Sequence, residues 1–111
     1  LLLARTLYAL GEHKSSLEVV QSINQSNPKR EARQIIAKNY AAQEDWSKAL
    51  SYLRKLLSEA QEIEMLNLAA RCYLNLDQPH KALPLLQKSL KLNPQQQTIK
   101  DLKEKTKKQL K

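Results

Sequence analysis

The feature that most constrains the fold of this chain is a pattern of small and apolar residues that recurs every 33 positions. In the copy from residue 63 to 94, small residues stand at Ala70 and Ala82 and an aromatic residue at Tyr73. The same places in the two earlier copies hold Ala37, Ala49 and Tyr40, and then Ala4, Ser16 and Leu7. A fixed period of this length indicates a structural repeat.

Within the third copy, the spacing of apolar residues predicts two helices. Leu66, Ala69, Ala70 and Tyr73 lie at i, i+3, i+4 and i+7, which places them on one stripe of a helix. The turn Asp77-Gln78-Pro79 follows, with proline at the start of the next helix. The second stripe is formed by Ala82, Leu86, Ser89 and Leu90. Small residues at positions 70 and 82 allow the two helices to cross closely.

The pattern resembles the tetratricopeptide repeat, a helix-turn-helix unit of about 34 residues. Tyr73 and Ala82 match the family's tyrosine and alanine, and Pro94 matches its closing proline. Leu66 and Leu86 stand at its tryptophan and phenylalanine places. The departures are the shorter period, Gln61 where a proline is expected although Pro28 and Pro94 keep it, and Arg33 at a large apolar place.

The predicted fold class is therefore all-α, a right-handed α-solenoid of about three helix-turn-helix repeats and a C-terminal capping helix. We assign the repeats to residues 1–29, 30–62 and 63–94, with the first truncated, and the basic capping helix to 95–111. Ile99 and Leu102 continue the apolar stripe and are expected to close the stack. One glycine and four prolines leave little turn chemistry for β-hairpins. Because the chain begins inside a repeat, we interpret it as part of a longer protein with further repeats upstream.

No residue constellation indicates catalysis, so we predict no enzyme activity, no cofactor and no metal site. Cys72 is the single cysteine and is interpreted as a small buried hydrophobe, not a reactive thiol. His13 and His80 fall in the turns between paired helices, where we expect them to be exposed, and neither has a second ligand at metal-binding spacing. A chain with one glycine cannot form a glycine-rich phosphate loop.

Membrane insertion is not predicted, because the sequence has neither a long apolar run nor a signal-peptide pattern. The compartment stays open between cytoplasm and periplasm, including a membrane-anchored parent protein. The oligomeric state is open as well, and a purely structural role as a spacer or dimerising segment is a third possible function.

What remains for function is a surface. In a stack resembling this family, the first helices of successive repeats line a concave groove. One repeat position in that groove holds a column of positive charges: Arg5, Lys38 and Arg71. The neighbouring groove residues are predicted to be Gln34 and Asn67, whose amides suit a ligand's main chain, and Tyr8, Leu74 and Asn75. An alternative stays open, in which Glu31 and Glu64, seven residues upstream of Lys38 and Arg71 on the same side of the helix, neutralise the column.

The leading functional hypothesis is a scaffold or adaptor that binds a peptide or partner surface, of acidic character, in this groove. The alternative is a nucleic-acid-binding helical repeat, suggested by the net charge of +8. It is disfavoured because aromatic residues for base stacking are few. Some family members hold a C-terminal carboxylate with a fixed set of cations and asparagines. That set is not reproduced here, where its places include Leu1, Ile35, Glu64 and Leu68.

Overall fold

A computed structural model describes residues 1–26 and 29–110, and this part of the chain consists of seven α-helices without a strand. Pro28, one of the repeat-closing prolines of the sequence pattern, lies outside the described residues. The predicted class, an all-α chain of helix-turn-helix repeats ending in a single helix, is confirmed. The helices are α1 (Leu2–Ala9), α2 (His13–Ser26), α3 (Arg30–Ala42), α4 (Trp46–Glu59), α5 (Ile63–Asn75), α6 (Pro79–Leu92) and α7 (Gln97–Gln109).

None of these helices, within the described ranges, is both long and apolar enough to cross a membrane. The chain divides into two compact units, Leu1–Leu56 and Leu57–Lys111, which we call unit one and unit two. The division falls in the last turn of α4. Each unit has its own hydrophobic core.

The core of unit one lies among α1, α2 and α3. Its buried residues are Ala4, Val20, Ala32, Ile35 and Ile36. The rings of Tyr40 and Tyr52 pack beside this core, with their centroids 6.0 Å apart, and connect α3 to α4. Unit one is thus held together by aliphatic side chains flanked by the Tyr40–Tyr52 pair.

The core of unit two lies among α5, α6 and α7. Ala70, Ala82, Leu86 and Ile99 are buried together, and Leu102 packs against them. Ile99 retains only 3% of its exposure, which confirms that α7 continues the apolar stripe of the preceding helices. Burial of this kind stabilises α7 on the repeat by about 25 cal/mol per Å² of apolar surface removed from water.

The small residues of the repeat pattern are all fully buried. In the first copy one of them, Ser16, also forms hydrogen bonds. Ser16 Oγ donates a hydrogen bond to the carbonyl oxygen of Ala4 at 2.7 Å and accepts one from Asn39 Nδ2 at 3.0 Å. Asn39 Nδ2 also donates to the carbonyl oxygen of Ile35 at 3.1 Å. The sequence pattern identified Ser16 only as a small residue. It also forms a polar bridge from α1 through α2 to α3.

The turn between the two helices of each repeat has the same backbone geometry in all three copies. Gly11, Glu44 and Asp77 adopt left-handed conformations with φ of 82°, 61° and 58°, and these residues lie 33 positions apart. In each turn the next residue's N–H bonds back to a helix carbonyl, which is the pattern of a Schellman C-cap. The bonds run from Glu12 to Leu7, from Asp45 to Tyr40 and from Gln78 to Tyr73, each at 2.8 Å.

Replacing the left-handed residues with glycine should stabilise the protein. Left-handed geometry costs a residue with a Cβ about 1–2 kcal/mol, and part of this is offset by glycine's greater unfolded-state entropy. We expect Glu44→Gly to raise the free energy of unfolding by about 0.5–1 kcal/mol, and Asp77→Gly by less because aspartate tolerates this conformation. Urea denaturation measures both.

Two controls accompany this prediction. Gly11→Glu should destabilise through backbone strain alone, since no heavy atom lies within 4 Å of the place of its Cβ. Glu12→Gly, next to the turn and outside the left-handed region, should not stabilise. A gain from Glu12→Gly equal to that from Glu44→Gly would contradict the argument.

Close crossing of α5 and α6 depends on the small size of Ala70, which is fully buried. We expect Ala70→Leu to lower the free energy of unfolding by about 1–3 kcal/mol through overpacking. Ala42→Leu is the matched control, because Ala42 is exposed in the last turn of α3 and its replacement should be nearly neutral. Thermal or urea unfolding of the two variants tests this, and equal losses would show that Ala70 does not limit the helix crossing.

Candidate functional site

A cleft of about 470 Å³ opens between α5 and α7 in unit two. Leu74 and Leu102 supply its apolar surface, and its polar lining consists of Arg71, Asn75, Thr98, Asp101 and Lys105. Three of the residues predicted for the groove, Arg71, Leu74 and Asn75, are therefore brought together. The α7 residues were missed by the sequence analysis, because α7 was interpreted only as a cap.

The start of α7 is held in place by hydrogen bonds of the preceding residue, Gln96. Its Nε2 donates to Ser89 Oγ at 3.0 Å and to the Ser89 carbonyl at 3.1 Å, and its Oε1 accepts from Asn67 Nδ2 at 2.9 Å. These bonds connect α5, the end of α6 and the start of α7, so the second wall of the cleft is held in place. Asn67, predicted as a ligand-binding amide, thus uses its donor inside the protein, while its buried Oδ1 has no hydrogen-bond partner among the described residues.

The cleft presents two cations that have no ion-pair partner within residues 1–26 and 29–110: Arg71 and Lys105. Its carboxylate is already engaged, because Asp101 Oδ1 accepts a hydrogen bond from Gln97 Nε2 at 3.0 Å. Asn75 Nδ2 donates to the Arg71 carbonyl at 2.8 Å. The cleft therefore combines available positive charge with an apolar patch.

In unit one the equivalent cation, Arg5, has an ion-pair partner. Arg5 Nη2 lies 2.6 Å from Glu31 Oε2, and both side chains are more than half exposed. Glu31 thus neutralises a member of the predicted column, but the partner shown is Arg5 on the first helix of the preceding repeat, whereas the alternative interpretation placed Glu31 beside Lys38 on its own helix. The other predicted groove residues of α3, Gln34 and Lys38, are half-buried.

The expectation that His13 is exposed is wrong. His13 is the first residue of α2 and is half-buried, with its ring edge-on to Tyr8 at a centroid distance of 4.9 Å. The two residues flank the same turn, so the ring of Tyr8, predicted for the groove floor, covers the imidazole. His80, by contrast, is exposed as expected.

Lysine over tyrosine is a repeated contact that the sequence analysis did not identify. Lys48 lies over the ring of Tyr40 at 5.6 Å, and Lys81 lies over the ring of Tyr73 at 5.8 Å. Both pairs occupy the same repeat positions, and the recurrence of lysine at this spacing is the signal that could have revealed them. Such cation–π contacts hold the lysine of the second helix against the tyrosine of the first helix in the same repeat.

Arg33, which departs from the large apolar residue of the repeat pattern, lines a second cleft in unit one. This cleft of about 540 Å³ is otherwise lined by Asn24, Ser51, Tyr52 and Lys55. A charged residue is accommodated at position 33 because it is half-buried beside other polar groups. In the third copy the same position, Leu66, is fully buried.

The chemistry of a metal site or a reactive thiol is not evident in the described part of the chain. No group of three or more histidine, cysteine, aspartate or glutamate residues is arranged to hold a metal ion there. Cys72 is fully buried in α5, and desolvation by burial raises the pKa of its thiol from 9.0 to about 11. Because the thiolate is the reactive form, Cys72 acts as a packing residue at neutral pH.

Comparison with solved structures identifies a similar fold. The type III secretion chaperone SycD of Yersinia enterocolitica, solved with a peptide of the translocator YopD, superposes with a TM-score of 0.76. The two are 17% identical, and the match covers 97% of this chain and 84% of SycD. At this identity the likeness concerns the fold. No curated protein sequence matches the chain.

Family models give the assignment directly. Tetratricopeptide repeat models match residues 63–96 and residues 31–61, which are the third and second copies of the sequence pattern. Together the matches cover more than half of the 111 residues. They agree with the helix pairs, the buried small residues and the repeated turn geometry. The chain belongs to the tetratricopeptide repeat family.

Proposed function

We propose that this chain is a non-catalytic binding module that holds an acidic segment of a partner protein in the cleft between α5 and α7. One observation carries the proposal: Arg71 and Lys105 line the cleft beside Leu74 and Leu102, and neither cation has an ion-pair partner within the described residues. An available guanidinium beside an apolar surface is suited to a segment that carries both a carboxylate and an apolar side chain.

The guanidinium of Arg71 supplies the specificity. Its planar donors match a carboxylate in two parallel hydrogen bonds, which are shorter and stronger than neutral ones. Leu74 and Leu102 contribute affinity by removing apolar surface of the ligand from water. Lys105 adds a second positive charge from the opposite wall.

The carboxylate of Asp101 in the same cleft favours a peptide over a nucleic acid. A peptide offers main-chain N–H groups in addition to its acidic side chains, and Asp101 can accept a hydrogen bond from one of them through Oδ2, because Gln97 occupies only Oδ1. A phosphate backbone offers acceptors and negative charge, and it binds best to a continuous basic surface. The α7 wall of the cleft carries a negative charge at Asp101 and a positive charge at Lys105. It therefore matches a peptide better than a phosphate backbone.

The structural neighbour supports a peptide ligand in a limited way. SycD was solved in complex with a translocator peptide, and its fold is shared by this chain. We carry over only the class of ligand, a protein segment. The acidic character of that segment follows from Arg71 and Lys105.

Selection of binders from a library of random displayed peptides tests this function. We expect the selected peptides to be enriched in aspartate and glutamate next to apolar residues. Arg71→Glu should weaken a selected peptide by about tenfold or more, because a hydrogen bond to a charged group contributes about 1.5–3 kcal/mol. Fluorescence anisotropy with the labelled peptide measures the change.

Lys100→Glu is the matched control, since it makes the same charge change at an exposed position of α7 that does not line the cleft. It should leave affinity within about twofold, because charges outside a contact act weakly. Equal losses from both variants would contradict a cleft-specific role. Tight binding of single-stranded RNA with a steep salt dependence, abolished by Arg71→Glu, would favour the nucleic-acid alternative.

A further inference from the structure

We infer that Gln97 determines the preference of the α5–α7 cleft for acidic ligands, because it leaves Arg71 without a carboxylate partner. This inference rests on the proposed function and names the ligand group more closely: a side-chain carboxylate of the bound segment. It depends on a comparison between equivalent positions of unit one and unit two.

The two units carry the same pair of positions two repeats apart. Arg5 in α1 and Arg71 in α5 are separated by 66 residues, and so are Glu31 in α3 and Gln97 in α7. In unit one the pair is an arginine and a glutamate, and their side chains form an ion pair at 2.6 Å. In unit two the glutamate is replaced by an amide of nearly the same size and shape.

The amide changes the electrostatics of the cleft in two ways. Gln97 carries no charge, so it cannot neutralise the guanidinium of Arg71 as Glu31 neutralises that of Arg5. Gln97 Nε2 also donates to Asp101 Oδ1 at 3.0 Å, which occupies one oxygen of the cleft's carboxylate. Both effects leave the charge of Arg71 available for a ligand.

A glutamate at position 97 would reverse both effects. It would place a carboxylate where its unit-one equivalent pairs with arginine, and it would stand one helical turn from Asp101, where like charges repel. The cleft would then resemble the neutralised position of unit one. The carboxylate of a ligand would compete with a resident one.

We place the partner carboxylate on a side chain of the bound segment, because the set of cations and asparagines with which some family members hold a C-terminal carboxylate is not reproduced on α5. Position 68 is a leucine and position 64 a glutamate on α5. Neither can donate a hydrogen bond from its ionised or apolar side chain to a terminal carboxylate. A side-chain carboxylate needs only the fork of Arg71 and the charge of Lys105.

A pair of synthetic peptides tests the inference. Both have an acetylated N-terminus and an amidated C-terminus, one with leucine flanked by glutamates and one with glutamines in their place. With the wild-type chain, we expect the glutamate peptide to bind about tenfold more tightly and to shift the NMR signals of Arg71, Leu74 and Lys105. Gln97→Glu should remove this preference by weakening the glutamate peptide alone.

Two further variants make the experiment decisive. Gln109→Glu makes the same charge change at the last residue of α7 and should leave the preference intact. Glu31→Gln should free Arg5 from its ion pair and produce new shifts at Arg5 with the glutamate peptide. Far-UV circular dichroism checks that every variant keeps the helicity of the wild type.

The outcomes separate the inference from the proposed function. If the glutamate peptide binds the cleft and Gln97→Glu binds it equally well, the role of Gln97 is refuted while the binding function stands. If neither peptide shifts the cleft signals of the wild type, the proposed function fails and the inference fails with it. Loss of the preference in Gln109→Glu as well would assign the effect to the net charge of α7.

Discussion

Close contact between the paired helices of each repeat is the constraint on which the rest of the structure depends. Ala4, Ala37 and Ala70 are fully buried on the first helices, and Ser16, Ala49 and Ala82 on the second. Helices can approach at the short end of the usual distance only where the crossing residues are small. That approach sets the direction in which each first helix presents its remaining faces, including the face of α5 that carries Arg71 and Leu74.

Most of the fold could be predicted from the sequence because its determinants are local and repeated. The stripe through Tyr73 and Leu66 identified α5, and the continuation to Ile99 identified α7 as a packed helix. What could not be predicted was the partner of each polar side chain. The spacing showed Ser16 as small but could not show that Asn39 from the next repeat would bond to it, since that depends on three-dimensional neighbours.

The candidate site was predictable on one wall only. Arg71, Leu74 and Asn75 share a helix face that the resemblance places in a groove, whereas Asp101 and Lys105 line the α5–α7 cleft through the packing of α7. Which cations of the column are neutralised was harder to predict. A column of equivalent cations looks uniform in sequence, yet Arg5 is paired with Glu31 and Arg71 has no such partner among the described residues. Counting charges therefore overestimates the positive surface.

The hydrogen bond from Asn39 to Ser16 favours one sequential order of the repeats. Asn39 is buried in α3, and its Nδ2 donates both to the Ile35 carbonyl of its own helix and to a hydroxyl that the helix before it supplies. Later second helices have alanine at the equivalent place, and α5 has Cys72 where α3 has Asn39. If α3 followed a second helix with alanine there, its amide would lose that partner, at a cost of about 1–3 kcal/mol for a buried unsatisfied group. A rearranged order of these repeats would therefore lose stability through a single hydrogen bond, even though the turns of all three copies share one backbone geometry.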